Sequence, residues 1–444
     1  MRLVIVLVVV TGCSRDTPRG SELDTVLART AAGAPGLTVI VEQRGEIILD
    51  RAYGLADLEL DAPAMQDTVM PIGSISKQFG AAAVMQLVEA GKLHIDDALA
   101  IYLPTFPRAD RITIRDLLRH TSGIADFEYD GVWPTTMAVA RSAEDMVATF
   151  RDMPPLFEPG TQWSYSSSNY VLLDLIIQKV SGETLARYLQ THVFDRAGLT
   201  STRICAADQL IPRRAKGYDR KQTGWVPAPP ALLTPFVLAG GICSTSRDLL
   251  HWQHALEEGR VVSADSYRQM VTPGTLVDGT PLGYGFGLFA GSTAGHPVVG
   301  HSGGVPGFSS MLSHYMDEDL RIATLVNTRD ARGPAFPIAA VELSFGQASA
   351  VPIPAAELAA FTSTFPFTPY EFRFAPDRDQ LAFTVFEHGV AQGPPTPMVH
   401  VGHDTFESPD RDVRVMFTRT QGVTTAGELS LGEMTIRTRI APRN

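Results

Sequence analysis

The chain has 444 residues, of which 44% are hydrophobic, and it carries a formal net charge of −11. The length suggests two or three domains, and the hydrophobic content is sufficient for a buried core. The negative charge argues against a nucleic-acid partner, because binding a phosphate backbone needs clustered lysine and arginine that this sequence lacks. A small molecule or a peptide is the expected partner.

The first residues are typical of an exported protein. Arg2 precedes an apolar run from Leu3 to Val10, which is too short to cross a bilayer but suits the core of a signal peptide. The segment Val-Thr-Gly-Cys that ends at Cys13 resembles a bacterial lipobox, in which the cysteine is acylated; a plain signal peptide is the alternative. We expect a periplasmic or cell-surface lipoprotein, anchored to a bacterial membrane through Cys13, with a polar tether over 15–20.

Two β-rich runs begin the folded part. Leu37–Val41 and Glu46–Leu49 flank a short polar turn, which predicts an antiparallel hairpin. Ile75–Ala90 is apolar on nearly every side and stops at Gly91, which predicts a buried helix with a glycine C-cap. Further helices are expected at Ile114–Arg119, Ala143–Arg151, Tyr170–Val180, Leu185–Phe194 and Arg247–Glu258.

Strand-like runs return in the second half of the chain, at Gly285–Ala290, His296–Val299, Ser309–Tyr315 and Leu320–Asn327. Strands on both sides of a helical middle indicate an α+β domain with one sheet assembled from distant segments. After about Gln347 the runs become short and alternating, which predicts a small all-β unit with strands at Glu371–Phe374, Gln380–Phe386, Met398–Val401 and Arg414–Thr418. The expected domains are 1–20, 21–347 and 348–444.

Cys205 and Cys243 are the cysteines that remain after Cys13. An exported protein can join them, although sequence does not show whether their geometry permits a bridge. Two unpaired, mostly buried thiols are the default expectation.

A serine and a lysine stand at the start of the predicted buried helix, in Ser74-Ile75-Ser76-Lys77. They share a helix face, so a lysine whose pKa is lowered by burial can take the proton of the serine hydroxyl. The helix N-terminus adds N–H groups and positive potential where an oxyanion would form. The spacing alone is weak evidence, because Ser-x-x-Lys occurs about once or twice by chance in a chain of this length.

Other segments accompany this pair in a fixed order. They are Gly91–Asp97 (GKLHIDD), Ile112–Gly123 (ITIRDLLRHTSG), Glu158–Tyr170 (EPGTQWSYSSSNY), Ala239–Leu249 (AGGICSTSRDL) and His301–Gly304 (HSGG). With Thr68–Lys77 (TVMPIGSISK) they resemble the serine β-lactamase and D-Ala-D-Ala carboxypeptidase family of the class C type, which is penicillin-binding-protein-like. The resemblance covers about 35–347. It implies an antiparallel sheet flanked by helices, an all-helical half, and an active site between these halves.

The resemblance makes Ser74 the nucleophile and Lys77 its proton partner. Tyr165 matches the tyrosine of the family's Tyr-x-Asn motif, and a phenol near an ammonium can share its proton and later protonate the leaving group. Ser167 takes the position of the motif's asparagine. It can hydrogen-bond a substrate carbonyl but lacks the two donors of an amide, which argues against efficient β-lactam recognition.

The segment His301-Ser302-Gly303 stands where the family has Lys-Thr-Gly, and these residues are expected to bind substrate. Histidine replaces a permanent charge with one that titrates near neutrality, so a β-lactam carboxylate would be held less firmly. Relatives with this substitution cleave peptides containing D-amino acids, some of them with an added C-terminal barrel, or are promiscuous esterases. The resemblance also implies an oxyanion hole from the N–H groups of Ser74 and Gly304, and a lipocalin-like barrel in the C-terminal unit.

Other motifs admit a second interpretation. The segment 300–304 matches the Gly-x-Ser-x-Gly nucleophile elbow around Ser302, but Val305-Pro306-Gly307 opposes the helix that an elbow requires. His251 and His254 are spaced like metal ligands, yet no third ligand accompanies them, so a solvated helix face is expected.

Two further motifs are expected to be structural. His120 is expected to tie down a loop rather than take part in chemistry. The glycine-rich segment Gly283–Gly287 resembles a phosphate loop only superficially, and a strand broken by glycine is expected.

Together these observations predict a serine hydrolase that cleaves an amide or ester through a Ser74 acyl-enzyme, without a metal or organic cofactor. A D-amino-acid peptidase or esterase is preferred. The alternatives are a true β-lactamase and a sensor of penicillin or cell-wall fragments that deacylates slowly. Turnover, as opposed to one stoichiometric burst, separates the enzymes from the sensor.

Overall fold

A computed structural model describes four long stretches of the chain, 31–128, 141–221, 223–293 and 296–329. It also describes 24, 27–28, 355–367, 370–377, 380–387, 390–391, 395–402, 405–407, 413–420, 423–431 and 434–439. The predicted lipobox at Cys13, the tether over 15–20 and the domain boundary at 347 lie outside these residues. Within the described ranges, no helix has the length and apolar character needed to cross a membrane.

The strands of the first part, in chain order, are β1 Leu37–Gln43, β2 Glu46–Tyr53, β3 Leu55–Asp57, β4 Ala62–Pro63, β5 Met70–Pro71, β6 Arg203–Ile204, β7 Tyr218–Lys221, β8 Gly224–Pro227, β9 Ile242–Ser244, β10 Phe289–Thr293, β11 His296–Val305, β12 Phe308–Tyr315 and β13 Leu320–Val326. Six of them form one sheet in the order β10-β11-β12-β13-β1-β2, in which every neighbouring pair is antiparallel. The predicted hairpin is β1–β2, and β1 also pairs with β13 from the far end of the domain. The sheet is therefore assembled from distant segments, as predicted.

The helices of this part are α1 Ser76–Glu89, α2 Ile114–Arg119, α3 Ala143–Phe150, α4 Ser167–Ser181, α5 Leu185–Tyr188, α6 Asp195–Ala197, α7 Val237–Gly240, α8 Ser246–Glu257 and α9 Ala264–Val271. Short 3₁₀ turns lie at Gly73–Ile75, Leu99–Ile101 and Thr234–Phe236, and a π-helical turn at Leu189–Phe194 continues α5. Helix α1 is buried along nearly its whole length, as its apolar composition predicts. It ends before Gly91, which has the predicted left-handed φ of 65°.

The glycine-rich segment before β10 is not a strand. A Cβ on Gly285 would lie 1.9 Å from the Met270 carbonyl oxygen, and one on Gly287 would lie 2.6 Å from the Lys77 carbonyl oxygen. Only glycine lets the backbone pass this close to α9 and α1. Strand β10 therefore begins at Phe289, later than the predicted Gly285.

A disulfide joins Cys205 and Cys243, with the two Cα atoms 5.1 Å apart. The expectation of two unpaired thiols was wrong because the backbone brings them together: Arg203 of β6 pairs with Cys243 of β9, and the Cys205 N–H donates to the Gly241 carbonyl. Both cysteines are buried. The bridge thus joins β9, which follows α7, to the segment just after β6 that carries Cys205.

His254 lies in an ion-pair cluster rather than on a solvated helix face. Its Nε2 lies 2.9 Å from a carboxylate oxygen of Glu42 on β1, and Arg321 of β13 contacts both Glu42 and Glu257. These contacts fasten α8 to the sheet. His251 is exposed, as expected, and no set of three His, Cys, Asp or Glu in the described part of the chain is grouped to hold a metal ion.

The C-terminal part is all-β after a 3₁₀ turn at Ala355–Phe361, as predicted. Its strands are β14 Ser363–Phe367, β15 Tyr370–Asp377, β16 Gln380–Glu387, β17 Val390–Ala391, β18 Thr396–Gly402, β19 Thr405–Glu407, β20 Val413–Thr420, β21 Val423–Leu431 and β22 Met434–Arg439. They form one antiparallel nine-stranded sheet around an apolar cluster that includes Phe361, Phe365 and Phe374. The hydrogen-bonded order runs from β14 to β22, so closure into a lipocalin-like barrel stays a prediction.

Candidate active site

Ser74 lies in the 3₁₀ turn that leads into α1, directly beside strand β11. Gly73 has a left-handed φ of 51°, and a Cβ on it would lie 2.5 Å from the Gly304 backbone nitrogen. Both the conformation and the close approach require glycine. The backbone nitrogen of Gly304 is thereby placed next to Gly73.

The residue before Gly73, Ile72, is also held close to the sheet. A Cβ on Gly303 would lie 2.0 Å from the Ile72 carbonyl oxygen, and the Ser310 hydroxyl of β12 donates to that oxygen at 2.8 Å. On its other side, the Ile72 N–H donates to the Ile242 carbonyl of β9. The position of Ser74 relative to β11 is therefore set by close backbone contacts and by the short Ser310 side chain.

Lys77, one turn along α1, is completely buried and points at Ser74. Its Nζ donates to Ser74 Oγ at 3.1 Å, to Ser167 Oγ at 3.3 Å and to the Ala239 carbonyl at 2.8 Å, which uses all three N–H bonds of an ammonium. Burial lowers the pKa of Lys77 to about 8, against the opposing effect of Glu128 and Asp126. A substantial fraction of neutral amine is therefore present close to neutral pH, as a general base requires.

Tyr165 lies on the other side of the lysine, in the loop before α4. Lys77 Nζ lies 4.7 Å from the centre of the Tyr165 ring and 5.6 Å from that of Tyr170, distances at which an aromatic ring attracts a cation. The His120 ring packs 4.4 Å from the Tyr165 ring, and its Nδ1 accepts a hydrogen bond from the Ser166 N–H. His120 thus ties down the loop that carries Tyr165, as expected.

His301 is buried rather than open to substrate. Its Nε2 lies 3.0 Å from the Tyr284 hydroxyl, and its Nδ1 donates to the Ser302 carbonyl at 2.5 Å. Burial and the nearby Lys77 ammonium lower the pKa of His301 to about 3. The expectation that this side chain titrates near neutrality was therefore wrong, and no charge stands where the family's Lys-Thr-Gly motif has its lysine.

Ser302 is exposed in β11, opposite Met311 of β12. Strand β11 continues to Val305, and a turn then leads into β12. No helix follows Ser302, so the nucleophile-elbow alternative is excluded.

Other residues of this site were not singled out from sequence. Asp126 lies beside α4 and accepts a hydrogen bond from the Ser167 N–H at 3.0 Å. Tyr284 comes from the glycine-rich segment for which the sequence predicts only a strand broken by glycine, and Ala239 contributes a carbonyl, which sequence does not mark. Only Asp126 had a local signal, since it follows closely on Arg-His-Thr-Ser-Gly.

The family model named Beta-lactamase matches residues 23–347. The chain belongs to the Beta-lactamase family. A D-aminopeptidase from Brucella anthropi is 31% identical over 298 residues, which make up 66% of this chain and 56% of that protein. Penicillin-binding protein 4* from Bacillus subtilis is 31% identical over 333 residues, 71% of this chain and 73% of that protein.

The fold also resembles that of solved family members. The octameric penicillin-binding protein homologue from Pyrococcus abyssi has a TM-score of 0.65 at 22% identity, over 94% of this chain and 99% of that chain. This likeness confirms the fold predicted from the motifs. The chain spans about half the length, 56%, of the Brucella anthropi D-aminopeptidase that it matches.

Proposed function

We propose that this chain is a serine hydrolase that cleaves an amide or ester of a D-amino acid through an acyl-enzyme on Ser74. The observation that carries the proposal is the contact of 3.1 Å between Ser74 Oγ and the Nζ of a fully buried Lys77. A hydroxyl becomes nucleophilic when a base accepts its proton, and burial keeps this lysine partly neutral.

In the proposed reaction, neutral Lys77 accepts the Ser74 hydroxyl proton while Oγ attacks the substrate carbonyl carbon. The resulting oxyanion accepts hydrogen bonds from the backbone N–H groups of Ser74 and Gly304. Lys77 passes this proton to Tyr165 as the Tyr165 hydroxyl delivers its own proton to the leaving nitrogen or oxygen, and the bond to the leaving group breaks. A water molecule then attacks the acyl carbon and gives a proton to the Lys77 amine, which returns it to Ser74 Oγ as the acyl bond breaks and the acid is released.

The preference for D-amino acids rests on two observations. One is the similarity to a D-aminopeptidase over 298 residues. The other is the neutral, buried His301, which leaves the third motif without the cation that would hold a β-lactam carboxylate. Ser167, in place of the family's asparagine, has its hydroxyl turned to Lys77 at 3.3 Å, which also disfavours β-lactam recognition. A true β-lactamase is therefore the less favoured activity.

A carboxypeptidase is the second candidate, because an arginine lies at the site. A Cβ built on Gly304 would lie 3.6 Å from Nε of Arg329, an exposed residue just after β13. Its guanidinium offers a cation to the terminal carboxylate of a peptide.

We also propose that the protein is exported and anchored through Cys13. The support is the sequence of residues 1–13 alone. In a bacterial host, Cys13→Ala protein should leave the membrane fraction, whereas the parent protein should stay in it; equal membrane retention of both would contradict the anchor.

The proposed activity is tested by turnover of a substrate panel. The panel contains a D-alanine anilide, its L-alanine counterpart, D-Ala-D-Ala with a free or an amidated carboxyl end, a short-chain ester and a chromogenic β-lactam. Ser74→Ala protein is the control. Turnover of the D-anilide above the L-anilide supports an aminopeptidase, whereas a requirement for the free carboxylate supports the carboxypeptidase. Labelling without turnover would favour the sensor, and activity retained by Ser74→Ala would refute the mechanism.

A further inference from the structure

A buried carboxylate that the proposed reaction does not use lies behind the catalytic lysine. The side chain of Asp126 is only 5% exposed. Its Oδ2 accepts a hydrogen bond from the Ser167 N–H at 3.0 Å, and its Oδ1 accepts one from the Glu128 N–H at 3.1 Å. Burying a carboxylate is costly unless it is bound in this way.

Asp126 reaches Lys77 through Ser167. Ser167 begins α4, and it donates its N–H to Asp126 while its hydroxyl accepts from Lys77 Nζ at 3.3 Å. The neighbouring loop is attached to the same helix end, because the Phe127 N–H donates to the Ser168 hydroxyl, which in turn donates to the Ala125 carbonyl. The loop that carries Asp126 therefore holds the start of α4. It thereby positions the Ser167 hydroxyl, one of the three acceptors of Lys77.

Asp126 and Glu128 are also the anionic groups that act on Lys77. Both raise the pKa of Lys77 against the effect of burial. Burial lowers the pKa of the His120 and His301 imidazoles and keeps them neutral, and it raises the pKa of the Tyr170 and Tyr284 phenols. The Tyr165 ring packs on the ammonium.

We propose that Asp126 is a positioning residue for the proton transfer, which holds Ser167 against Lys77 and balances the charge of the buried ammonium. The proposal rests on the function proposed for Ser74 and Lys77. Burial and the neighbouring Glu128 raise the pKa of Asp126 to about 8, close to the pKa of Lys77. The two groups can therefore share one proton, so that the carboxylate balances the ammonium and the carboxylic acid accompanies the neutral amine.

The test compares Asp126→Asn with a matched control, Asp174→Asn. Asp174 lies on α4, is 2% exposed and accepts a hydrogen bond from the Leu238 N–H at 3.2 Å, but it is not among the charges that act on Lys77. The full chain is assayed for kcat/KM on a D-alanine anilide from about pH 5.5 to about pH 10, the range that brackets the base. Circular dichroism melting reports whether each variant folds.

Asp126→Asn should move the midpoint of the acidic limb of the kcat/KM profile to lower pH by about one unit or more, because the ammonium loses an opposite charge. Asp174→Asn should leave that midpoint in place. If Asp126→Asn does not fold, Glu128→Gln replaces it and should shift the midpoint in the same direction. An unmoved midpoint in the folded variant, or an equal shift in Asp174→Asn, would overturn the proposal. Wild-type protein that turns over no substrate would instead refute the proposed function.

Discussion

Adding one methyl group at Gly303 should disable the site by separating strand β11 from the nucleophile. A Cβ at this position would lie 2.0 Å from the Ile72 carbonyl oxygen and 2.4 Å from Ser310 Oγ. Both partners are fixed, because the Ser310 hydroxyl donates to that carbonyl. In Gly303→Ala protein, β11 and the Ile72–Ser74 segment must therefore move apart by about 1 Å to restore an ordinary contact, and a displacement of about 1 Å in a catalytic site costs about 10²-fold in rate.

Steady-state kcat/KM and urea unfolding of Gly303→Ala test this reasoning. We expect a loss in kcat/KM of about 10²-fold or more and a loss of unfolding free energy of about 1–3 kcal/mol, as for an overpacked core. Gly240→Ala is the matched control, since its Cβ would lie 3.7 Å from the nearest atoms, which belong to Gly73. It should stay within about twofold of wild type. Full activity in Gly303→Ala, or equal damage in Gly240→Ala, would refute the geometry described for β11.

Three further predictions concern the base, the disulfide and the third motif. The kcat/KM of the wild-type protein should rise with pH around a midpoint of about 8, because Lys77 must be neutral to act as a base. A midpoint below pH 6 would show that another residue is the base. Lys77→Arg should lower kcat/KM by about 10³-fold. Replacing Cys205 and Cys243 together by alanine should cost about 4 kcal/mol of unfolding free energy, since the bridge closes a loop of 38 residues; urea unfolding with and without reductant checks this, and equal midpoints would contradict it. His301→Lys should speed acylation by a carboxylate-bearing β-lactam by about tenfold, because it supplies a charge that the buried imidazole lacks, without speeding hydrolysis of a neutral ester. Stopped-flow acylation measures both rates, and an equal gain on both substrates would contradict a charge effect.

The features that sequence predicted are those decided by local pattern. Ser74 and Lys77 sit three residues apart at a helix start, so their contact follows from helix geometry. The hairpin β1–β2 and the buried helix α1 likewise follow from the spacing of apolar residues and from local composition. The order of the motifs, through the family resemblance, predicted that Tyr165 and Gly304 lie at the same site, although they are far apart in the chain.

The features that sequence missed are decided by tertiary contacts. The charge state of His301 depends on burial beneath Tyr284, a residue from a segment whose glycines suggested only a broken strand. The disulfide depends on the pairing of β6 with β9, two short strands that no periodicity marks. The environment of His254 depends on its contact with Glu42, which lies on a strand more than two hundred positions away in the sequence. In each case the deciding neighbour is remote in sequence.

The most direct test of the central claim is the site of covalent modification during turnover. Intact-protein mass spectrometry after rapid acid quench with a D-alanine ester should show one added acyl group, and peptide mapping should place it on Ser74. The Ser74→Ala protein should show none while keeping its fold by circular dichroism. An acyl group on another residue, Ser302 in particular, or undiminished turnover by Ser74→Ala would contradict the account.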